Sequence, residues 1–143
     1  MVDLNKEKLV TRLVAKEGEK LKPYRCTAGK ISIGVGRNLE DRGISKEESR
    51  YLLNNDIEWA IAECEQQPWW GSVKEDDVRA RIMVEMCFNM GINRLNGFKK
   101  ALKALADKDY QECAAQMIDS KWAVQVGKRA DELAIMMISG RDY

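Results

Sequence analysis

Between Lys6 and Lys16, Leu9, Val10, Leu13 and Val14 fall on one side of a helical wheel, which predicts a short amphipathic helix ending near Glu17-Gly18. The period then changes. Ile31, Ile33 and Val35 alternate with Ser32, Gly34 and Gly36, predicting a strand after a turn at Ala28-Gly29. This is the one strand region that the pattern supports. Ser45-Lys46-Glu47-Glu48 matches an S-x-x-E capping box. The helix it opens runs to about Gln66, with Leu53, Ile57, Ala60, Ile61 and Cys64 as its apolar stripe. Pro68-Trp69-Trp70-Gly71 breaks the chain, with the two tryptophans readable as an exposed patch or as a cap on the long helix. From Val78 to Met90 apolar residues occupy nearly every face, the pattern of a helix at the centre of a helical lobe. Shorter helices are expected near 98–106, 109–119 and 128–138. Together these predict a mainly helical α+β chain with a small β-hairpin lobe (1–45), a connecting helix (46–66) and a helical lobe (67–143).

The 143 residues are enough for one domain with its own core. There is no histidine, which excludes His-based nucleophilic triads and the common zinc hydrolase sites. Neither a metal nor another cofactor is expected. Cys26, Cys64, Cys87 and Cys113 lack C-x-x-C spacing and read as reduced thiols, the last three as core residues. The Met83–Met90 cluster reads as core as well. No run is long enough to span a membrane, and the opening residues lack an apolar signal core, so synthesis in the cytoplasm without a signal peptide is expected. Net charge is +1, distributed as +5 over residues 1–37, −7 over 38–77 and +3 over 78–143. Two basic segments flanking an acidic one suit either a mixed solvated surface or a groove for an anionic polymer. No nucleic-acid motif is present, and nucleic acid is not expected as a partner.

Glu17, at a helix–hairpin junction, is a candidate general acid if the junction partly desolvates it. The surrounding residues add to this. Glu17-Gly18-Glu19-Lys20-Leu21-Lys22-Pro23-Tyr24 is followed by Cys26 and by Ile31-Ser32-Ile33-Gly34-Val35-Gly36. Eight residues separate Glu17 from Cys26 and five separate Cys26 from Ser32. This resembles the active-site stretch of the tailed-phage lysozymes (endolysins), in which a Glu is followed after eight residues by Asp or Cys and after five more by Thr. Phe88-Asn89-Met90-Gly91, Gly97-Phe98, Ser120-Lys121-Trp122 and Lys128-Arg129-Ala130 are similar to that family's C-terminal lobe.

The resemblance implies a two-lobed lysozyme fold and a muramidase that cleaves the β-1,4 bond between N-acetylmuramic acid and N-acetylglucosamine in peptidoglycan. It implies Glu17 as acid, Cys26 as nucleophile or charge stabiliser and Ser32 as water-positioner, with Phe88 as a cleft wall and Asn89 touching sugar. A monomer that lyses a bacterial host, and reaches the wall through a separate holin, is the expected setting. Glycoside hydrolysis needs only an acid and a second supporting group, in keeping with the composition. Cys26 is the main departure, since a thiol is mostly neutral at pH 7 unless its surroundings lower its pKa; Arg25 and Lys30 are near in sequence. Ser32 keeps the hydroxyl of threonine without its methyl. Arg37, where many relatives have His, reads as a structural residue paired with an acid. The competing readings are a peptidoglycan-binding domain without turnover, a transglycosylase that releases an anhydro sugar, and, least supported, a thiol-transfer protein.

Overall fold

A computed structural model describes residues 3–143. They form helices and a small three-stranded antiparallel sheet, the α+β class expected from the sequence, and contacts divide the chain into a unit ending at Tyr51 and a unit Leu52–Tyr143.

In the first unit, α1 (Lys6–Glu17) starts at Asn5, whose side chain accepts from the Lys8 amide at 3.0 Å. It stops at Gly18, where φ is +76°. None of its residues is fully buried; Val14 is half-buried. The chain then enters β1 (Lys20–Arg25), turns, and returns as β2 (Ile31–Gly34), with β3 (Arg37–Asn38) on the far side of β2. Tyr24 stands opposite Ser32, and Ser32 opposite Asn38. Pro23 sits in β1, where an edge strand tolerates a missing N–H, and the β1–β2 register shifts between Lys20 and Tyr24. The strand pattern around residues 31–35 revealed only β2. β1 is mostly polar and exposed, and β3 is two residues long, so neither carries an apolar alternation.

The capping box is present. The Ser45 amide donates to Glu48 Oε1 at 2.8 Å and the Glu48 amide to Ser45 Oγ at 3.1 Å, opening α2 (Lys46–Glu65). Glu48 also binds Arg37, which donates to Oε1 at 2.9 Å and lies 2.8 Å from Oε2, while donating to the Gly43 carbonyl at 3.1 Å. The structural pairing expected of Arg37 is therefore an end-on carboxylate clamp between β3 and the start of α2.

The second unit holds the core. α3 (Asp77–Met90) buries Ile82, Met83, Met86, Cys87 and Met90. Around it stand α4 (Ile92–Asn96), α5 (Lys99–Ala106), α6 (Tyr110–Ile118), α7 (Lys121–Val126) and α8 (Lys128–Ser139), which add Leu95, Leu105, Met117, Trp122, Leu133 and Met137. α4 and α7, five and six residues long, are too short to leave a readable period. The Pro68–Ser72 break is a 3₁₀ turn that buries Trp69 and leaves Trp70 half-buried, so the pair is no exposed patch. Trp69 Nε1 donates to Asn96 Oδ1 at 2.8 Å. Cys64, Cys87 and Cys113 are buried and free, as expected of core thiols. Among the described residues, no helix is long and apolar enough to cross a membrane.

Candidate active site

Glu17 ends α1, and the Gly18 turn delivers the chain from there into β1. Its Oε2 lies where a Cβ on Gly36 would be 3.7 Å away, so the carboxylate rests over the Gly36 backbone. Gly36 has φ +69°, a conformation that side-chain-bearing residues rarely adopt, and its missing side chain leaves the approach open. Glu17 itself is exposed. The desolvation expected at the helix–hairpin junction is not found, because α1 leads into an exposed edge strand and not into a packed core.

Cys26 follows directly on β1. Its amide donates to the Lys30 carbonyl at 2.9 Å and its carbonyl accepts from the Gly29 amide at 2.8 Å, which closes the turn to β2. The curl aims backbone N–H groups at the sulfur. The Lys30 amide, then the Ala28 amide, hold the Cys26 thiol below its ordinary pKa; partial burial opposes them, and the Ser32 hydroxyl adds to them. The flanking cations are not the cause. Arg25 donates to the Gly29 carbonyl at 2.9 Å and lies 3.7 Å from Glu40, and Lys30 Nζ pairs with Asp41 at 3.3 Å. Both charges are already committed to acids of the turn that follows β3.

Ser32 is 2% exposed, the buried polar residue of this sheet, while Ile31 and Ile33 beside it are only half-buried. Its Oγ donates to the Lys30 carbonyl at 3.3 Å, a long hydrogen bond. That single proton can turn toward Cys26 when the thiol ionises. One turn thus supplies two amides and a hydroxyl to one sulfur, the chemistry that favours a thiolate.

Phe88 and Asn89 belong to the second unit, at the end of α3. Phe88 is 46% exposed and lines a groove of about 350 Å³ together with Asp56, Trp59, Glu63 and Ile92. Asn89 is exposed, but its Oδ1 accepts from Trp122 Nε1 at 2.7 Å, which leaves the amide N–H₂ outward. Trp122 is buried and meets Phe98 edge-on, with ring centroids 6.2 Å apart, so it packs and does not present a stacking face. Sequence reasoning passed over Trp59, an exposed aromatic whose Nε1 donates to Glu63 Oε1 at 3.2 Å. The signal was there: Trp59 lies off the apolar stripe of its helix.

The sequence model of the family described as Phage lysozyme matches residues 14–135, a span that takes in Glu17, Cys26, Ser32, Phe88 and Asn89. "Probable T4-type lysozyme 1" of Dictyostelium discoideum is 27% identical over 152 aligned residues, which cover 87% of this chain and 89% of that protein. "Probable T4-type lysozyme 2" of the same organism is 26% identical with the same coverage of both chains.

Proposed function

The chain belongs to the phage lysozyme family, and on that premise we propose that it is a muramidase, hydrolysing the β-1,4 bond between N-acetylmuramic acid and N-acetylglucosamine of bacterial peptidoglycan. Glu17 is the general acid. Its exposed carboxyl gives a proton to the glycosidic oxygen as the bond to the anomeric carbon breaks. Cys26 is the nucleophile: its thiolate takes the anomeric carbon to form a thioglycosyl intermediate, and the Glu17 carboxylate then draws a proton from water that displaces the sulfur. Two displacements at one carbon give retention of configuration. Ser32 positions that water and steadies the sulfur. Phe88 and Asn89 bind the glycan, Asn89 through the N–H₂ that Trp122 leaves outward.

A single lysozyme domain over residues 1–143 is part of this reading, acting as a monomer. So is the setting: lysis of a bacterial host, with a separate holin giving access to the wall. The observation that carries the mechanism is the Cys26 turn, whose amides lower a thiol that would otherwise be a poor substitute for a carboxylate. The test is clearing of purified peptidoglycan. Wild type should clear it, Glu17→Gln should lose about 10²–10⁴-fold in rate, and Cys26→Ala should lose a comparable factor while Cys26→Asp retains turnover. Clearing by Glu17→Gln at the wild-type rate would overturn the assignment. Binding of the polymer by wild type without any cleavage would favour a binding domain.

A further inference from the structure

Trp59 stands in the part of α2 that belongs to the second unit and is 69% exposed, a large aromatic surface left open to water. Its place is fixed nonetheless. Nε1 donates to Glu63 Oε1 at 3.2 Å, which ties the indole to its own helix. The 350 Å³ groove beside it is also lined by Phe88 and Ile92, so two rings and an aliphatic side chain supply its apolar wall. Asp56 and Glu63 complete the lining; they lie at i−3 and i+4 from Trp59, on the same face of α2. Neither carboxylate belongs to an ion pair among the described residues, and no Lys or Arg occurs between Arg50 and Lys74. The reaction proposed above uses Phe88 and leaves Trp59 and the two acids without a part.

We propose that this groove is a subsite for one sugar of the glycan, that Trp59 is the platform on which the sugar stacks, and that the subsite selects N-acetylglucosamine over N-acetylmuramic acid. The proposal rests on the muramidase reading and deepens it. A pyranose presents C–H groups on its faces and hydroxyls around its rim. The rings of Trp59 and Phe88 take the first and remove apolar area from water, while Asp56 and Glu63 accept charge-assisted hydrogen bonds from the second. An indole already held by Glu63 gives up little freedom when the sugar arrives. Selection follows from O3, where the two sugars differ. N-acetylglucosamine is neutral and has a free 3-hydroxyl to donate. N-acetylmuramic acid has a lactyl ether there, which ends in a carboxylate or, in the polymer, continues into a stem peptide with carboxylates of its own. Two carboxylates without a counter-cation repel that group and accept from the hydroxyl.

The test is calorimetric titration of the full chain with chitotetraose, a neutral oligomer of N-acetylglucosamine, in a Glu17→Gln background that keeps the probe intact. Trp59→Ala should weaken binding by about 10-fold, and Trp59→Phe should restore most of it. Because Trp59 is exposed, its truncation should leave the unfolding midpoint where it was. Free N-acetylglucosamine should displace chitotetraose at lower concentration than free N-acetylmuramic acid does, and an Asp56→Asn/Glu63→Gln double variant should narrow that gap. No binding of chitotetraose, the same affinity in Trp59→Ala, or equal displacement by the two sugars would overturn the proposal. In peptidoglycan turnover by the chain with Glu17 intact, Trp59→Ala should raise KM and leave kcat near wild type. Turnover with an unchanged KM would remove the subsite and leave the muramidase reading standing. Trp59-dependent binding of chitotetraose by a protein that releases nothing from peptidoglycan would support the subsite and remove that reading.

Discussion

Gly140 caps α8 at φ +68° and ψ +21°, and its amide donates to the Met136 carbonyl at 2.8 Å. A methyl group there meets a cation that is held in place. The added Cβ would lie 2.9 Å from Arg79 Nη1, 3.1 Å from Nη2 and 3.2 Å from Cζ. A free arginine would swing aside. Arg79 instead donates from Nε to the Met137 carbonyl at 2.8 Å, from Nη2 to the Ile138 carbonyl at 3.1 Å and from Nη1 to Asp76 at 2.9 Å, with its guanidinium 3.4 Å above the Tyr110 ring. Retreat breaks at least one charge-assisted hydrogen bond, about 1.5–3 kcal/mol. The left-handed backbone adds about 1–2 kcal/mol for a residue with a Cβ. Gly140→Ala should therefore cost about 2.5–5 kcal/mol in chemical denaturation. In an Arg79→Ala background the collision is gone, and only the backbone cost of about 1–2 kcal/mol should remain. A double-mutant cycle of denaturation curves measures the difference. The same Gly140→Ala cost in both backgrounds would refute the reasoning, as would a cost below about 1 kcal/mol in the wild-type background.

Three further outcomes are expected. Alkylation of Cys26 by iodoacetamide in the native protein should follow a thiolate titration with a midpoint below 9.0, and Ser32→Ala should raise that midpoint by removing a hydroxyl that favours the anion; an unshifted midpoint would count against the turn as the cause. Glu48 is pulled from 4.5 to about 2, by Arg37 first and then by Ser45. A depressed carboxyl stabilises the fold above its unfolded pKa and loses that contribution as pH falls, so acid titration of stability should show a loss from about pH 4.5 toward 2 that Arg37→Gln diminishes. Trp122→Phe removes the 2.7 Å donor to Asn89 and part of a buried ring, and should cost about 1–3 kcal/mol of stability. In peptidoglycan turnover it should raise KM more than it lowers kcat, because Asn89 then loses its fixed orientation.

What the sequence made legible follows physical lines. α2, α3, α5, α6 and α8 were readable because each is long enough to repeat an apolar face, and the Ser45–Glu48 cap because it is a local exchange of hydrogen bonds. β1 and β3 were hidden, one as a polar edge strand with a proline and the other as a two-residue bridge. Glu17, Cys26 and Ser32 were legible as candidates through the family resemblance that their spacing carries. Their environments were not. That Ser32 is buried, that backbone amides and not the side-chain charges of Arg25 and Lys30 lower Cys26, and that Glu17 stays exposed all depend on how the turn curls.

The most direct test of the central claim is digestion of purified peptidoglycan in ¹⁸O-labelled water, followed by mass spectrometry of the muropeptides. The account predicts one ¹⁸O at each new reducing end with wild type and none released by Glu17→Gln. Unlabelled anhydro products, one water lighter, would instead make the chain a transglycosylase, and the absence of any soluble product would contradict hydrolysis altogether.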